Sequence, residues 1–137
     1  MKRIILFLII TLSLLQASNF RDGVLSYRKG DYAGALKSFK LALKQDHVMQ
    51  ANYMLGKMYM NGEGTTPQLE EATKYLEIAS KIGNIRSDCY LAEAYLKSDK
   101  NIDKAIKLIN QGIKRNIKKC KEVLKIYNTN IKQEVKK

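Results

Sequence analysis

Apolar residues recur along the middle of the chain with the spacing of a helix that buries one face. The pattern places residues at separations of four, three and four, and it occurs three times. The three sets are Ala35, Phe39, Ala42 and Asp46, then Ala72, Leu76, Ala79 and Gly83, then Ala105, Ile109, Gly112 and Asn116. Residues at i, i+4 and i+7 share one helical face, and a final Asp, Gly or Asn suits a helix stop. Successive copies are 37 and 33 residues apart, a period typical of helical solenoids.

A second helix is predicted before each of these three. It is marked by a small residue about one turn before an aromatic ring, which lets a neighbouring helix approach closely. The pairs are Gly23 and Tyr27, Gly56 and Tyr59, and Ala92 and Tyr95. Each repeat is therefore predicted to be a hairpin of an A helix and a B helix. The predicted helices are A1 over Asn19–Lys29, B1 over Tyr32–Lys44, A2 over His47–Met60, B2 over Pro67–Lys81, A3 over Ile85–Lys97, B3 over Ile102–Lys114 and a last helix over Ile117–Tyr127.

The predicted fold is all-α, a short right-handed α-solenoid of about three helical hairpins closed by a capping helix. Residues 1–18 are assigned to a signal peptide, 19–128 to the solenoid and 129–137 to a basic tail that frays. Pro67 is placed in the first turn of B2 with Thr66 as its N-cap. Glu63 is placed in a flexible turn, because it stands between two glycines with no second ligand or phosphate-binding residue at a suitable spacing.

The first residues have the three-part form of a secretory signal. Lys2 and Arg3 form the positive end, Ile4–Leu15 the apolar core, and Ala17 and its neighbours the small-residue cleavage region. The apolar run is about a dozen residues, whereas a spanning helix needs about 20. Leu15 occupies a position where cleavage favours a small side chain, so an uncleaved anchor remains an alternative. The expected location of the body is the periplasm or the outside of the cell.

The charge of the chain is concentrated at one end. The formal net charge is +12, and residues 97–137 carry 13 Lys and Arg against 4 Asp and Glu, whereas residues 20–96 are nearly balanced. A single His and two Cys nearly exclude a four-ligand zinc site. The few glycines leave no dinucleotide or phosphate-binding fingerprint. We therefore expect no enzyme active site, no metal and no cofactor.

The repeats resemble a known family. The stretch from Gly23 to Ala42, with its Gly-Asp-Tyr turn, is similar to a tetratricopeptide repeat, and the stretch from Ala51 to Gly83, with its Gly-x-Gly loop, resembles the Sel-1-like variant of that repeat. The third unit, from Leu91 to Asn116, lacks that loop and is degenerate. The resemblance implies a tetratricopeptide-like solenoid that binds other proteins as a scaffold, without catalytic residues.

The sequence predicts two contact surfaces, one from the geometry of the repeats and one from the distribution of charge. Asn52, Tyr53 and Tyr90 are predicted to lie on A helices, which build the concave face of such a solenoid. The second surface is the basic end, represented by the last-helix residues Lys118, Lys121 and Lys125. These lysines either form a polar capping face or attract an acidic protein partner or an anionic membrane. Nucleic acid is not expected, because the chain is predicted to be exported and no aromatic residues interleave with the lysines. A monomer is expected.

The two cysteines leave two interpretations open. Cys89 and Cys120 are 31 residues apart, close to one repeat length, so they are predicted to lie at nearly equivalent places on neighbouring A helices. In an exported protein they could form a disulfide that clamps the last hairpin. They could equally be two buried thiols that act as small apolar groups.

The function predicted overall is an exported protein-interaction scaffold or adaptor, with the basic end aiding recruitment. A β-lactamase-like or cell-wall-binding secreted protein of the Sel-1-like kind is the alternative, because Ser26 and Lys29 have the Ser-x-x-Lys spacing of penicillin-recognising nucleophiles. The chain departs from the cysteine-rich members of that family, since its repeats lack paired cysteines seven residues apart. A membrane-surface electrostatic binder is the second alternative.

Overall fold

A computed structural model describes the backbone of residues 18–134 and the side chains of residues 19–128, and every regular element in that part is a helix. The predicted signal peptide lies outside the described residues, apart from Ser18. The helices are α1 (Ser18–Arg28), α2 (Tyr32–Lys44), α3 (Ala51–Asn61), α4 (Leu69–Lys81), α5 (Ile85–Lys97), α6 (Ile102–Lys114) and α7 (Lys118–Glu134). They form three hairpins followed by α7, which confirms the predicted short helical solenoid. The A helices are α1, α3, α5 and α7.

Side-chain caps mark the starts of two helices whose bounds match the prediction. The side chain of Asp31 accepts a hydrogen bond from Gly34 N–H before α2. Asn84 likewise accepts hydrogen bonds from the backbone of Arg86 and Ser87 before α5. These caps satisfy backbone N–H groups that have no partner within the helix. The bounds of α2, α5 and α6 are those predicted from the sequence.

The predicted starts of the second hairpin are wrong. α3 begins at Ala51 rather than His47, because His47 adopts a left-handed conformation with φ 53° and belongs to the preceding turn. α4 begins at Leu69, and the extended residue before it is Gln68. The backbone N–H of Gln68 donates to Tyr59 O at 2.8 Å, so the loop containing Pro67 folds back on α3 instead of starting a helix.

The last helix is also longer than predicted. α7 continues through Glu134 instead of ending near Tyr127, so the predicted fraying tail is helical over most of its length. No helix among residues 18–134 is both long and apolar enough to cross a membrane.

Glycines set the distance between the two helices of a hairpin. A Cβ at Gly23 would lie 2.8 Å from the ring of Phe39, and one at Gly56 would lie 2.6 Å from Leu76. Phe39 and Leu76 are both fully buried. The small residue therefore lets the A helix close onto the large core residue of its B helix, as the sequence pattern predicts.

Three contacts show that the A helices stand side by side with their amino-terminal ends together. Asn19, near the start of α1, donates to Asp46 in the turn before α3 at 3.3 Å. Early in α3 and α5, the rings of Tyr53 and Tyr90 lie 5.8 Å apart. A disulfide joins Cys89 of α5 to Cys120 in the first turn of α7. The turns from B to A helices therefore share one edge of the solenoid, and the turns from A to B helices share the opposite edge.

Candidate functional site on the A-helix face

A row of tyrosines runs across the A helices. Tyr27 of α1, Tyr53 of α3 and Tyr90 of α5 are all partly exposed. The rings of Tyr53 and Tyr90 meet edge to face, with an interplanar angle of 66°. This arrangement is favoured by the aromatic quadrupole, and such amphipathic rings are enriched at protein interfaces. We call Tyr27, Tyr53 and Tyr90 the tyrosine row.

Lys57 links this row to the loop that follows α3. Its Nζ lies 4.7 Å from the centre of the Tyr27 ring and donates to the Tyr27 hydroxyl at 2.6 Å. That hydroxyl in turn donates to Glu63 Oε2 at 2.8 Å. Asn61 Nδ2 also donates to Glu63, at 3.2 Å. The carboxylate of Glu63 is therefore fixed by hydrogen bonds, whereas the sequence placed it in a flexible turn. Neither Lys57 nor Glu63 was predicted from the sequence to be functional.

The tyrosines of the row stay neutral over a wide pH range. Burial raises the pKa of Tyr27, and the hydrogen bond to Glu63 raises it further. Burial also raises the pKa of Tyr53 and of Tyr90. For Tyr53, the nearby charges of Lys57 and Arg86 act in the opposite direction. At neutral pH the three side chains are therefore neutral phenols, and the hydroxyl of Tyr27 is already hydrogen-bonded to Glu63 and Lys57.

An ion-pair cluster lies next to Tyr90. Glu93 pairs with Lys119 of α7 at 2.6 Å and with Lys97 at 2.8 Å, and its side chain is only 16% exposed. Lys119 also lies over the Tyr90 ring, with Nζ 4.9 Å from its centre. Burial raises the pKa of Glu93, but the hydrogen bonds from the two lysines outweigh it and the pKa falls below its ordinary value. The cluster ties α7 to the tyrosine row.

The structure corrects the prediction that Asn52 lies on the contact surface. It is fully buried, and its Nδ2 donates to Met49 O at 2.9 Å. Ser87 occupies the matching place in α5, where it is also fully buried and its hydroxyl donates to Asn84 O at 2.5 Å. Both side chains face the core at a helix start, so Asn52 offers nothing to a partner. The surface is made by Tyr53 and Tyr90 without it.

The predicted basic residues lie elsewhere on α7. Lys118, Lys121 and Lys125 are all exposed. Lys118 lies 3.9 Å from Glu122, and Lys121 donates to Asn116 Oδ1 at 2.5 Å. The lysine of α7 that reaches Tyr90 is Lys119, which the prediction did not include. The helical period places all of these lysines on one helix, but it does not show which of them contacts a residue of another helix.

A small groove continues this face between α5 and α7. Its volume is about 140 Å³, and its lining residues are Glu93, Leu96, Lys97, Val123, Ile126 and Tyr127. The lining is mostly apolar, with the ion-pair cluster at one end. Val123 is buried whereas Ile126 is 55% exposed. The groove therefore offers a place for an apolar side chain beside the tyrosine row.

The cysteines lie behind this face, in the core. Both are fully buried, with Cα atoms 4.9 Å apart, and the structure joins them as a disulfide. Cys120 matches Ser87 in the repeat, because each N–H bonds to a carbonyl three residues earlier, in Ile117 and Asn84. Cys120 therefore lies two residues before the position that matches Cys89, and the disulfide joins these two places on α5 and α7.

Among the described residues, no group of three or more His, Cys, Asp or Glu side chains is placed to hold a metal. Ser26 and Lys29 do not share a helix, since α1 ends at Arg28 and Lys29 lies in the turn after it. The backbone N–H of Lys29 still donates to the carbonyl oxygens of Leu25 and Ser26, so the turn continues the hydrogen bonding of α1.

Comparison with protein families matches two stretches of the chain. The Sel1 repeat family model matches residues 50–84 and 86–117. The chain is a Sel1-like repeat protein. The two matched stretches correspond to the α3–α4 and α5–α6 hairpins, so the degenerate third unit is a genuine repeat. No solved structure matches the chain. Sel1 repeats generally mediate protein–protein interaction, and proteins built from them are typically scaffolds rather than enzymes.

Proposed function

We propose that this Sel1-like repeat protein is an exported adaptor that binds a polypeptide partner on the concave side of the solenoid, formed by its A helices. The observation that carries the proposal is the edge-to-face pair of Tyr53 and Tyr90, which bridges two consecutive repeats while both rings remain partly exposed. Tyrosine provides a large contact area and a hydrogen-bonding hydroxyl at a small cost in side-chain entropy. A partner lying across the helices would contact both rings.

The surroundings of the row favour a partner with acidic and apolar side chains. Arg86 is exposed and close enough to Tyr53 for its charge to affect that side chain, and the groove is lined by both Glu93 and Ile126. Lys57 and Lys119 are already held over tyrosine rings, so they are pre-ordered before a partner arrives. Pre-ordering lowers the entropy that binding must overcome.

Export is supported by the charged, apolar and small-residue segments of the first 17 residues. A disulfide in the body is consistent with an oxidising compartment. Mass measurement of the protein purified from its native source tests this directly. A mature chain that begins at Ser18 or Asn19 is expected, and a full-length chain in the membrane fraction would mean that the segment is retained as an anchor.

The binding role is tested by affinity capture from native extract, with bound proteins identified by mass spectrometry. The double variant Tyr53→Ala/Tyr90→Ala should lose a discrete partner that the unmodified protein retains at moderate salt. Tyr75→Ala is the matched control, because Tyr75 is also partly exposed but lies on α4, stacked 5.7 Å from Tyr59. Circular dichroism should show equal helicity in all three proteins. Equal capture by the double variant would remove the tyrosine row from the binding surface.

A further inference from the structure

The turns that lead from B helices into A helices form a surface of their own, which we call the B-to-A edge. Its turns span residues 45–50, 82–84 and 115–117. The contacts from Asn19 to Asp46 and from Cys89 to Cys120 bring these turns and the start of α1 to one side of the molecule. This edge is distinct from the tyrosine row, which crosses the A helices.

Exposed cations and exposed aliphatic side chains are mixed on this edge. Residues 112–121 contain five Lys and Arg and no acidic residue, and Lys114, Arg115 and Lys118 are exposed. The neighbouring turn adds the exposed cations Lys81 and Arg86. The apolar side chains on the edge are Met49 at 40%, Ile82 at 47% and Ile85 at 37% exposure. The edge is thus both basic and apolar, a combination that suits the interface of a bilayer.

The opposite edge has different chemistry. The loop and helix start over residues 61–71 contain three Glu and no Lys or Arg, and the other two turns of this edge carry Lys29 and Lys100 together with Asp31 and Asp99. Of the eight exposed large apolar side chains among the described residues, three lie on the B-to-A edge, and Tyr32 lies at the opposite one. The two edges are therefore distinguished by charge as well as by exposed aliphatic groups.

The course of the chain singles out the same edge. α1 begins at Ser18, beside the turn that contains Asp46. The apolar run Ile4–Leu15 therefore joins the described body at the B-to-A edge.

We propose that the B-to-A edge docks on an anionic membrane surface, with its lysines and arginines at the lipid head groups and Ile82 and Ile85 entering the interface. A membrane explains both the exposed cations and the exposed aliphatic side chains, whereas an acidic protein partner would explain only the charge. Each Lys or Arg held near an anionic leaflet strengthens binding about fivefold. The edge can dock whether or not the tyrosine row holds a partner.

Because the chain contains no tryptophan, the fluorescence of a single introduced tryptophan reports on its own position. Ile82→Trp places a single fluorophore on the B-to-A edge of the full chain, and Thr66→Trp places one at an exposed position of the opposite edge. Each variant is titrated with vesicles of phosphatidylcholine mixed with phosphatidylglycerol, and with phosphatidylcholine alone. The emission of the Ile82→Trp variant should shift to shorter wavelength with the anionic vesicles, and the Thr66→Trp emission should stay unchanged.

Charge variants in the Ile82→Trp background show which cations act. Replacing Lys114, Arg115 and Lys118 by Gln should weaken binding to anionic vesicles by on the order of 100-fold, from three losses of about fivefold each. The matched control replaces Lys29, Lys37 and Lys100 by Gln, since these are exposed and lie off this edge. The control has the same net charge and should bind far more tightly than the edge variant.

Several results would overturn the proposal. Equal shifts at positions 82 and 66 would mean adsorption without a preferred edge. Equal shifts with neutral and anionic vesicles, or equal weakening by the two triple variants, would mean that the apolar run or the net charge causes binding. No shift with anionic vesicles would leave an acidic protein as the occupant of the edge.

Discussion

Gly112 lies directly against the disulfide sulfur of Cys120. A Cβ at position 112 would overlap Cys120 Sγ and would lie 3.0 Å from Cys89 Sγ. The matching residues in the two earlier repeats, Ala42 and Ala79, are fully buried alanines. The third repeat thus has its smallest side chain where the disulfide occupies the space between α6 and α7.

This contact reverses the usual effect of a glycine in a helix. Gly→Ala inside a helix normally stabilises a protein by up to about 1 kcal/mol. Gly112→Ala should instead lower the free energy of unfolding by about 2 kcal/mol, because the new methyl overpacks the core. Urea denaturation measures the change. In a Cys89→Ala/Cys120→Ala background the same substitution should cost clearly less, because both sulfurs are gone and only the Cβ of residue 120, at 3.0 Å, remains close. An equal loss in both backgrounds would contradict the explanation.

The disulfide should contribute strongly to the stability of the capping end. It closes a loop with a sequence separation of 31 residues. A closed loop of that length restricts the unfolded chain by about 3 to 4 kcal/mol. The Cys89→Ala/Cys120→Ala protein should therefore unfold at a clearly lower urea concentration than the oxidised protein.

Thiol titration under denaturing conditions is the companion measurement for the disulfide. The unmodified protein, purified without reductant, should show no reactive thiol. Two reactive thiols per chain, together with unchanged stability of the double variant, would show that the cysteines are not joined and act as buried apolar groups.

Alkaline pH should destabilise the fold through its buried tyrosines. Tyr95 donates to Glu77 Oε1 at 2.5 Å and accepts from Lys104 at 3.1 Å, the same arrangement that Tyr27 makes with Glu63 and Lys57. Burial raises the pKa of Tyr95, and the hydrogen bond to Glu77 raises it further. The stabilisation is full below the unfolded pKa of about 10 and is lost as pH rises above that value.

The free energy of unfolding should accordingly fall as pH rises above about 10. Tyr95→Phe should be less stable at pH 8 by about 1 to 2 kcal/mol and should show a smaller fall at alkaline pH. Tyr127→Phe, on α7, is the control substitution. If Tyr95→Phe keeps the full alkaline loss, Tyr95 is not its source.

Acid should weaken the contact between α5 and α7. The pKa of Glu93 is lowered in the folded protein, since the hydrogen bonds from Lys119 and Lys97 outweigh the effect of burial. The stability that Glu93 contributes is therefore present above its ordinary pKa and is lost as pH falls through the folded value. Glu93→Gln should cost about 2 kcal/mol at pH 7 and less in acid.

Lys118→Gln is the matched control for this cluster, because Lys118 is the neighbouring residue of α7 and its partner is the exposed Glu122 rather than Glu93. Denaturation curves at pH 7 and pH 3.5 separate the two effects. A cost of Glu93→Gln that stays the same at both pH values would show that the carboxylate charge does not hold α7.

Side-chain caps account for two of the helix starts that were predicted correctly, whereas α6 was predicted correctly although Asn101 before it makes no side-chain cap. α2 and α5 begin after Asp31 and Asn84, whose side chains cap the helix, and such caps are visible in the sequence. α3 and α4 begin after Gln50 and Gln68, which make no side-chain cap. Their predicted starts were wrong because each is preceded by a loop that bonds back to the preceding helix, and such a contact cannot be recognised from the residues of the loop alone.

The candidate site was predicted only in part, for a related reason. Tyr53 and Tyr90 were placed on the A helices by the repeat, and the structure brings them into contact. Asn52 was placed beside them although it faces the core, since one residue along a helix turns the side chain by about 100°. The roles of Lys57, Glu63 and Lys119 depend on contacts between different repeats, which periodicity does not describe.

The sequence by itself determined that this chain is a helical repeat protein, because a buried stripe and a small residue at fixed spacing are properties of each helix separately. Only the tertiary structure decided which residues meet: the sulfurs of Cys89 and Cys120, the rings of Tyr53 and Tyr90, and the turns that share the B-to-A edge. These relations join residues about one repeat apart, so they depend on how successive hairpins stack. That stacking is set by close packing between neighbouring helices rather than by the local preferences of either one.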